Sequence, residues 1–160
     1  MAEQALFRAS EIFDMAVRIE NQGMDFYRAC AGSASNSDVR KVFEYLADQE
    51  SKHIEIFSGM KEGHEDYRLP ESYPGEMYSY IGSFVKDRVF EERKKGIKTG
   101  AETEDPFKAV DTGLEFEKRS ILFYSGIKQT VRESEKEVIE KIIAEEHRHI
   151  CQLLELRRKL

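Results

Sequence analysis

Two short motifs place ionisable side chains where the core of a helical protein needs apolar ones. The motif Glu-x-x-His occurs as ESKH at residues 50–53 and as EHRH at residues 146–149. In each case the glutamate and the histidine continue a series of apolar residues spaced by threes and fours, which is the spacing of one helix face. A fold that contains both segments must bury two acids and two imidazoles, and it must satisfy them there.

Each motif is preceded by a further glutamate in a similar segment. The stretch IENQGMDFY contains Glu20 and Tyr27, and the stretch FEKRSILFY contains Glu117 and Tyr124. Seven residues span roughly two helical turns, so each glutamate shares a helix face with its tyrosine. The first glutamate lies 30 residues before its Glu-x-x-His motif and the second lies 29 residues before. This spacing indicates a duplicated helical hairpin.

Helical periodicity predicts four long helices, at about residues 10–31, 37–61, 105–130 and 134–160. Asp105 followed by Pro106 is typical of a helix start. Ser134 and Glu137 have the spacing of a capping box, in which the two residues satisfy each other's backbone N–H groups.

The lengths of the connections predict the topology. Few residues join the first two helices, or the last two, so each pair should form an antiparallel hairpin. Residues 62–104 would form one long crossover, with a short helix across GEMYSYIGSFVKDRVFEERKK. We therefore predict a single all-α domain over residues 1–160, a four-helix bundle built from two hairpins.

The ionisable residues of these patterns lie near the middle of their helices, where antiparallel helices stay level with one another. They are therefore expected to meet in the core: Glu20, Glu50, His53, Glu117, Glu146 and His149. Isolated buried carboxylates would each cost several kcal/mol or stay protonated. Two divalent cations would neutralise four carboxylates, and carboxylates with one imidazole for each ion favour iron or manganese over structural zinc.

Composition excludes several other classes of protein. The formal charge of −6, without a basic cluster, argues against a nucleic-acid partner. No apolar run approaches the ~20 residues of a membrane span. Two cysteines, Cys30 and Cys151, cannot form a disulfide framework or a four-thiolate metal site. A cytoplasmic location is the expectation.

The quoted stretches, together with EYLADQESKHIEIF and IIAEEHRHICQL, resemble the rubrerythrin and ferritin-like di-iron proteins over nearly the whole chain. The resemblance implies a ferritin-like fold and two iron ions in each chain, for which manganese or zinc could substitute. It implies that Glu50 and Glu146 bridge the metals. Glu20 and Glu117 would be terminal ligands, with His53 and His149 one on each metal.

Two further tyrosines and one acid need separate interpretation. Tyr27 and Tyr124 are similar to family tyrosines that hydrogen-bond to ligand carboxylates, and packing in an amphipathic core is the alternative explanation. Glu145 lies within reach of His149, but aligning the two hairpins pairs Glu145 with Gln49. We therefore do not include Glu145 among the predicted site residues.

The resemblance also has two departures. Full-length rubrerythrins carry a rubredoxin domain with two CxxC pairs, whereas this sequence has no CxxC, so an external donor such as a rubredoxin-type protein is expected. Rubrerythrins also have an extra glutamate one turn after the ligand on the third helix, where this chain has Ser120. Because that glutamate takes part in peroxide reduction, its replacement puts efficient peroxidase activity in question.

The expected function is that of a non-haem di-iron oxidoreductase, a peroxidase that reduces hydrogen peroxide or oxygen in defence against oxidative stress. The first alternative is oxidation of ferrous iron with binding or storage of the product, which needs a large hollow oligomer. The second is a substrate hydroxylase, which needs an open apolar pocket beside the metals. A homodimer or small homo-oligomer is expected for the peroxidase.

Overall fold

A computed structural model describes residues 9–63, 95, 98, 105–129 and 131–160. Within these ranges the chain forms four long helices and no strand: α1 Ala9–Ser33, α2 Ser37–Glu62, α3 Pro106–Ile127 and α4 Glu133–Lys159. The predicted all-α bundle is therefore confirmed. The short helix predicted within the crossover lies outside the described residues.

The starts of α2 and α3 follow from their capping residues. The side chain of Asn36 accepts hydrogen bonds from the backbone N–H groups of Asp38 and Val39, at 2.9 and 3.1 Å. The carboxylate of Asp105 accepts from the backbone N–H of Phe107 at 3.0 Å, and Pro106 is the first helical residue. These contacts satisfy N–H groups that the helix itself leaves without partners.

The start of α4 differs from the prediction. The capping box at Ser134 and Glu137 is wrong, because the helix begins at Glu133 and the carboxylate of Glu135 accepts from the backbone N–H of Arg132 at 3.2 Å. The reason is that the neighbouring Val131 is buried against the core and fixes where the chain enters the helix. The helix therefore starts earlier than the capping pattern indicated.

Short connections pair the helices into two hairpins. Residues 34–36 join α1 to α2 and residues 128–132 join α3 to α4, which makes the helices of each pair antiparallel neighbours. Contacts between α1 and α3, and between α2 and α4, hold the two hairpins together. Each helix therefore packs against one partner in its own hairpin and one in the other.

The core is divided into two hydrophobic clusters, with the acidic residues between them. One cluster contains Phe13, Phe57, Phe123 and Ile142, and the other contains Phe26, Phe43, Val110 and Leu153. Along α1 and α4 the chain passes from the first cluster to the second, and along α2 and α3 it passes in the opposite direction. All four helices thus carry their buried acids through the same central layer.

None of the helices in the described part of the chain is apolar enough over a sufficient length to cross a bilayer.

Candidate metal centre

The central layer contains six buried ionisable side chains. Each helix contributes one glutamate, and α2 and α4 each add a histidine one turn later. The exposed fraction of every one of these residues is 2% or less: Glu20, Glu50, His53, Glu117, Glu146 and His149. The structure thus brings together all six residues that the sequence singled out, and their binding of metal stays a prediction.

The six side chains form two overlapping groups of four. The first group is Glu20, Glu50, His53 and Glu146, and the second is Glu50, Glu117, Glu146 and His149. In each group one ligand atom from every residue lies within 4.8 Å of the others. Only Glu50 and Glu146 belong to both groups, which is the position that a bridging carboxylate must take.

Different oxygens of the shared glutamates face the two imidazoles. Nδ1 of His53 lies 2.8 Å from Oε1 of Glu146 and 3.9 Å from Oε2 of Glu50. Nδ1 of His149 lies 3.4 Å from Oε2 of Glu146 and 3.5 Å from Oε1 of Glu50. The two rings are stacked with centroids 5.8 Å apart. Each shared carboxylate therefore presents one oxygen to each half of the centre.

Most of the polar atoms in this layer have no hydrogen-bond partner. Eight such atoms belong to the six residues: Oε2 of Glu20, both carboxylate oxygens of Glu50, Nδ1 of His53, Oε2 of Glu117, both oxygens of Glu146, and Nδ1 of His149. Buried polar groups of native proteins are normally satisfied, so this concentration requires a partner. Divided between the two groups, the eight atoms would give four donors to each of two cations, and the residues present fit such ions.

The two tyrosines satisfy the remaining oxygens of Glu20 and Glu117, which each belong to only one of the two groups. The phenol of Tyr27 on α1 donates to Oε1 of Glu117 on α3, and the phenol of Tyr124 on α3 donates to Oε1 of Glu20 on α1. Each tyrosine therefore supports the glutamate of the other hairpin, not the glutamate on its own helix. One oxygen of Glu20 and of Glu117 is thus hydrogen-bonded, and the other oxygen would be available to a cation.

Sequence reasoning missed Glu145. Its Oε2 lies 2.6 Å from Nε2 of His53, on the opposite side of the ring from the other carboxylates. The sequence prediction does not include Glu145, because the equivalent residue in the first hairpin, Gln49, is not acidic. The sequence gives no signal for this contact, because a residue about 100° from the core face of α4 reaches a histidine only where α2 packs closely.

Gly23 was missed as well. A Cβ atom at this position would lie 2.6 Å from Cε1 of Phe116 and 3.4 Å from the carboxylate carbon of Glu50. Only glycine allows α1 to approach the phenyl ring and the shared carboxylate so closely. The pattern of apolar residues on α1 gives no indication of this contact, since it depends on a residue from the other hairpin.

Burial and mutual repulsion determine the protonation of the acids. Burial, followed by the nearby carboxylates, raises the pKa of Glu50 and of Glu117 well above the ordinary value. Burial acts in the same direction on Glu146, but Glu117 and the two histidines outweigh it and lower the pKa of Glu146. One shared carboxylate is thus held charged while the other resists ionisation.

The imidazoles respond to the same carboxylates in the opposite sense. Burial disfavours the imidazolium of His53, but Glu146 and Glu20 outweigh it and raise its pKa to about 11. For His149, Glu117 and Glu146 outweigh burial and raise the pKa to about 9. Protons on the imidazoles therefore balance part of the acidic charge whenever no cation does so.

The comparisons with known proteins agree with this geometry. A sequence model of the Rubrerythrin family matches residues 11–157. A crystal structure from Thermotoga maritima, described as a ferritin-like diiron-carboxylate protein, is similar over 96% of both chains, with 27% identity and a TM-score of 0.68. No curated protein is significantly similar in sequence. Because the family match spans nearly all four helices and the central layer between them, the chain belongs to the rubrerythrin family.

Proposed function

We propose that this protein is a di-iron oxidoreductase that reduces hydrogen peroxide, or oxygen, with electrons from an external donor. The observation that carries the proposal is the set of eight buried, unpartnered atoms, which divides into two groups of four that share Glu50 and Glu146. A core of this kind is costly unless cations satisfy it. The function of the protein would therefore depend on the cations that this core binds.

The chemistry of the ligand atoms favours iron. Each group offers three carboxylates and one imidazole nitrogen, a set that suits iron or manganese better than the thiolate-rich sites of structural zinc. The similar protein from Thermotoga maritima is described as a diiron-carboxylate protein. Manganese and zinc are possible substitutes in the same positions.

The protein residues would prepare the centre for a small oxidant. Two ferrous ions bound here would supply the two electrons that cleavage of one peroxide O–O bond consumes. Glu50 and Glu146 would keep both ions in one small volume, and the tyrosine phenols would fix the terminal glutamates. Burial of all six ligands favours hydrogen peroxide or oxygen over a bulky organic substrate.

The phenols are suited to this supporting role because they stay neutral. Burial, and then the adjacent carboxylates, raise the pKa of Tyr27 and of Tyr124 well above the ordinary value of 10.0. Each phenol therefore keeps its proton on Oη and remains a hydrogen-bond donor throughout the physiological pH range. The terminal glutamates are thus held by donors that do not titrate.

The electrons would come from another protein. The two cysteines of the chain, Cys30 and Cys151, cannot supply the four thiolates of a rubredoxin-type centre. Cys30 is also buried, and burial raises its thiol pKa to about 12, so it is not a redox-active thiolate. We include in the proposal a rubredoxin-type donor, a cytoplasmic location and assembly as a homodimer or small homo-oligomer.

Ser120 bears on the rate of the proposed reaction. It is buried on α3, and its hydroxyl donates to the backbone carbonyl of Phe116 at 3.1 Å. The family resemblance places a glutamate there, so this chain has one carboxylate fewer beside the centre. We expect slower peroxide reduction than in rubrerythrins that have the glutamate, and Ser120→Glu should accelerate it.

The experiment that tests the function compares two oxidants. Protein loaded anaerobically with ferrous iron is mixed with hydrogen peroxide or with dissolved oxygen in a stopped-flow instrument, and iron oxidation is followed by absorption. The proposal predicts that peroxide reacts faster and that one peroxide is consumed for each pair of irons. Turnover should then stop until an external reductant is added.

If oxygen oxidised the iron faster than peroxide does, the proposed peroxidase activity would be refuted. Oxidation of ferrous iron with iron storage would then be the favoured function. Glu115→Gln provides a matched control, because Glu115 is paired with Lys118 at 3.0 Å on an exposed face of the same helix as Glu117. This variant should retain the rates of the wild-type protein.

A further inference from the structure

The carboxylate of Glu145 distinguishes the two halves of the centre. Its Oε2 lies 2.6 Å from Nε2 of His53, whereas Nδ1 of the same ring faces Glu20, Glu50 and Glu146. The side chain of Glu145 is 34% exposed and that of His53 is fully buried. The imidazole of His53 therefore contacts a partly exposed carboxylate through Nε2, the ring nitrogen that faces away from the other acids.

The other half of the centre is built differently. The carboxylate contacts of His149 within the described residues all involve Nδ1. The residue that precedes Glu50, as Glu145 precedes Glu146, is Gln49, an uncharged and half-buried amide. The duplicated hairpins thus supply equal ligands but unequal support for the two imidazoles.

A carboxylate behind a histidine acts on the metal in front of it. By accepting the hydrogen bond from Nε2–H, it fixes the tautomer that leaves Nδ1 free to bind, holds the orientation of the ring and strengthens Nδ1 as a donor. It also adds a negative charge on the side of the centre where Glu20 and His53 lie. Each of these effects favours a cation in that half.

We infer that Glu145 is a positioning residue that makes the two metal positions unequal, so that the ion at Glu20 and His53 binds more tightly than the ion at Glu117 and His149. This inference rests on the proposed two-metal centre. Loss of such a hydrogen-bond partner typically lowers metal affinity by about 10- to 100-fold. The effect should fall on one of the two ions only.

The test is a titration of the full chain with cobalt(II) in competition with a chelator, followed by visible absorption. Wild-type protein should bind two ions in two steps. Glu145→Leu should weaken the tighter step by about 10- to 100-fold and leave the weaker step nearly unchanged. Glu145→Gln keeps an acceptor oxygen and should lose less.

Glu115→Leu is the matched control. Glu145 lies one residue before a ligand of α4 and 3.5 Å from Arg148, three residues later. Glu115 lies two residues before a ligand of α3 and 3.0 Å from Lys118, also three residues later. Its replacement removes the same charge and the same kind of surface ion pair, and it should leave both steps unchanged.

A second measurement reports the hydrogen bond itself. In protein that holds a single cobalt ion, proton NMR should show one strongly shifted signal from a ring N–H of the histidine that binds the ion. In the wild-type protein this proton should exchange slowly with solvent, since Glu145 accepts it. In Glu145→Leu the exchange should become faster, whereas in Glu115→Leu it should stay as slow as in the wild-type protein.

The inference is overturned if Glu145→Leu binds both ions with wild-type affinity, or if it weakens both steps equally. Either result would leave the proposed two-metal centre standing. A folded wild-type protein that binds no cobalt would overturn the proposed centre and this inference together. If Glu145→Leu loses helical content, Glu145→Gln is the variant that tests the inference. Unchanged affinity in its tighter step would overturn the inference.

Discussion

The two halves of the centre share Glu50 and Glu146 but have different surroundings. The first half contains Glu20 and His53, and the second contains Glu117 and His149. They differ in the residue that precedes each shared glutamate. In the first half, Glu145 lies behind the imidazole at 2.6 Å. In the second half, the equivalent position in the sequence is a neutral amide. The two hairpins therefore supply the same types of side chain to the centre, whereas the residues next to those side chains differ.

The two imidazoles also differ in their affinity for protons. The pKa is about 11 for His53 and about 9 for His149, although both rings are buried beside carboxylates. Burial opposes the proton in both cases, so the difference reflects how the acids are arranged around each ring. A cation that replaces these protons would therefore be surrounded by a different arrangement of carboxylates in each half.

The largest effect is expected where the two halves share a ligand. Glu50→Ala removes a carboxylate from both groups and should abolish binding of both ions, whereas Glu20→Ala should affect the first half alone. Metal binding to the native state stabilises a protein by about 4 kcal/mol at a thousandfold excess over the dissociation constant. Thermal unfolding with and without metal should show that Glu50→Ala has lost this gain.

The control for this prediction is Glu115→Ala, which removes an exposed carboxylate from α3 and should keep the full metal-induced gain. Equal shifts in melting temperature for Glu50→Ala and Glu115→Ala would refute the assignment of the shared ligand.

A smaller effect is expected from pH in protein stripped of metal. Both histidines have pKa values above the ordinary 6.5, so their stabilising contribution is complete below about pH 6.5 and is lost as the pH rises through about 9 and then about 11. The raised pKa values of Glu50 and Glu117 act in the same direction, because the unfolded chain releases those protons at lower pH. The free energy of unfolding should therefore fall steadily between pH 6.5 and 9.

Denaturant unfolding at a series of pH values measures this fall, and NMR titration of the ring protons separates the two histidines. His149 should lose its proton before His53 does. Stability that rises across this pH range, or the reverse order of deprotonation, would show that the two halves are not arranged as described. Metal-loaded protein is the control, because the cations replace the protons and should remove most of the dependence.

The smallest effects should come from the tyrosines, and they should cross between the hairpins. Tyr124→Phe leaves an oxygen of Glu20 without its donor and should weaken the ion of the first half by about tenfold. Tyr27→Phe does the same to Glu117 and should weaken the ion of the second half. Step-resolved cobalt titration distinguishes the two, with Tyr45→Phe, an exposed tyrosine, as the control. If each tyrosine instead affected the half that contains the glutamate of its own helix, the hydrogen bonds between hairpins would not have the predicted role.

Much of the fold could be predicted because the relevant signals are local. Apolar residues at helical spacing and the cap at Asp105 and Pro106 define helices without reference to the rest of the chain. The Glu-x-x-His motifs interrupt apolar faces, so their burial follows from the same periodicity. Short connections then determine which helices are neighbours, and this brings the six residues together.

The remaining features depend on contacts between hairpins, which periodicity does not define. Tyr27 and Glu20 share a face of α1, but the hydrogen bond of Tyr27 goes to α3 because the bundle places that helix opposite. Gly23 is explained only by the ring of Phe116. Glu145 lies off the core face of α4, and its role depends on how closely α2 approaches there.

Anaerobic titration with ferrous iron determines whether the two halves of the centre hold two metal ions. Iron retained after removal of the excess is determined by elemental analysis, and the oxidised sample is examined by Mössbauer spectroscopy in a magnetic field. We expect two irons per chain, converted on oxidation to a pair of ferric ions with antiferromagnetic coupling. One iron or none in a folded sample, under conditions that saturate other di-iron proteins, would contradict this expectation.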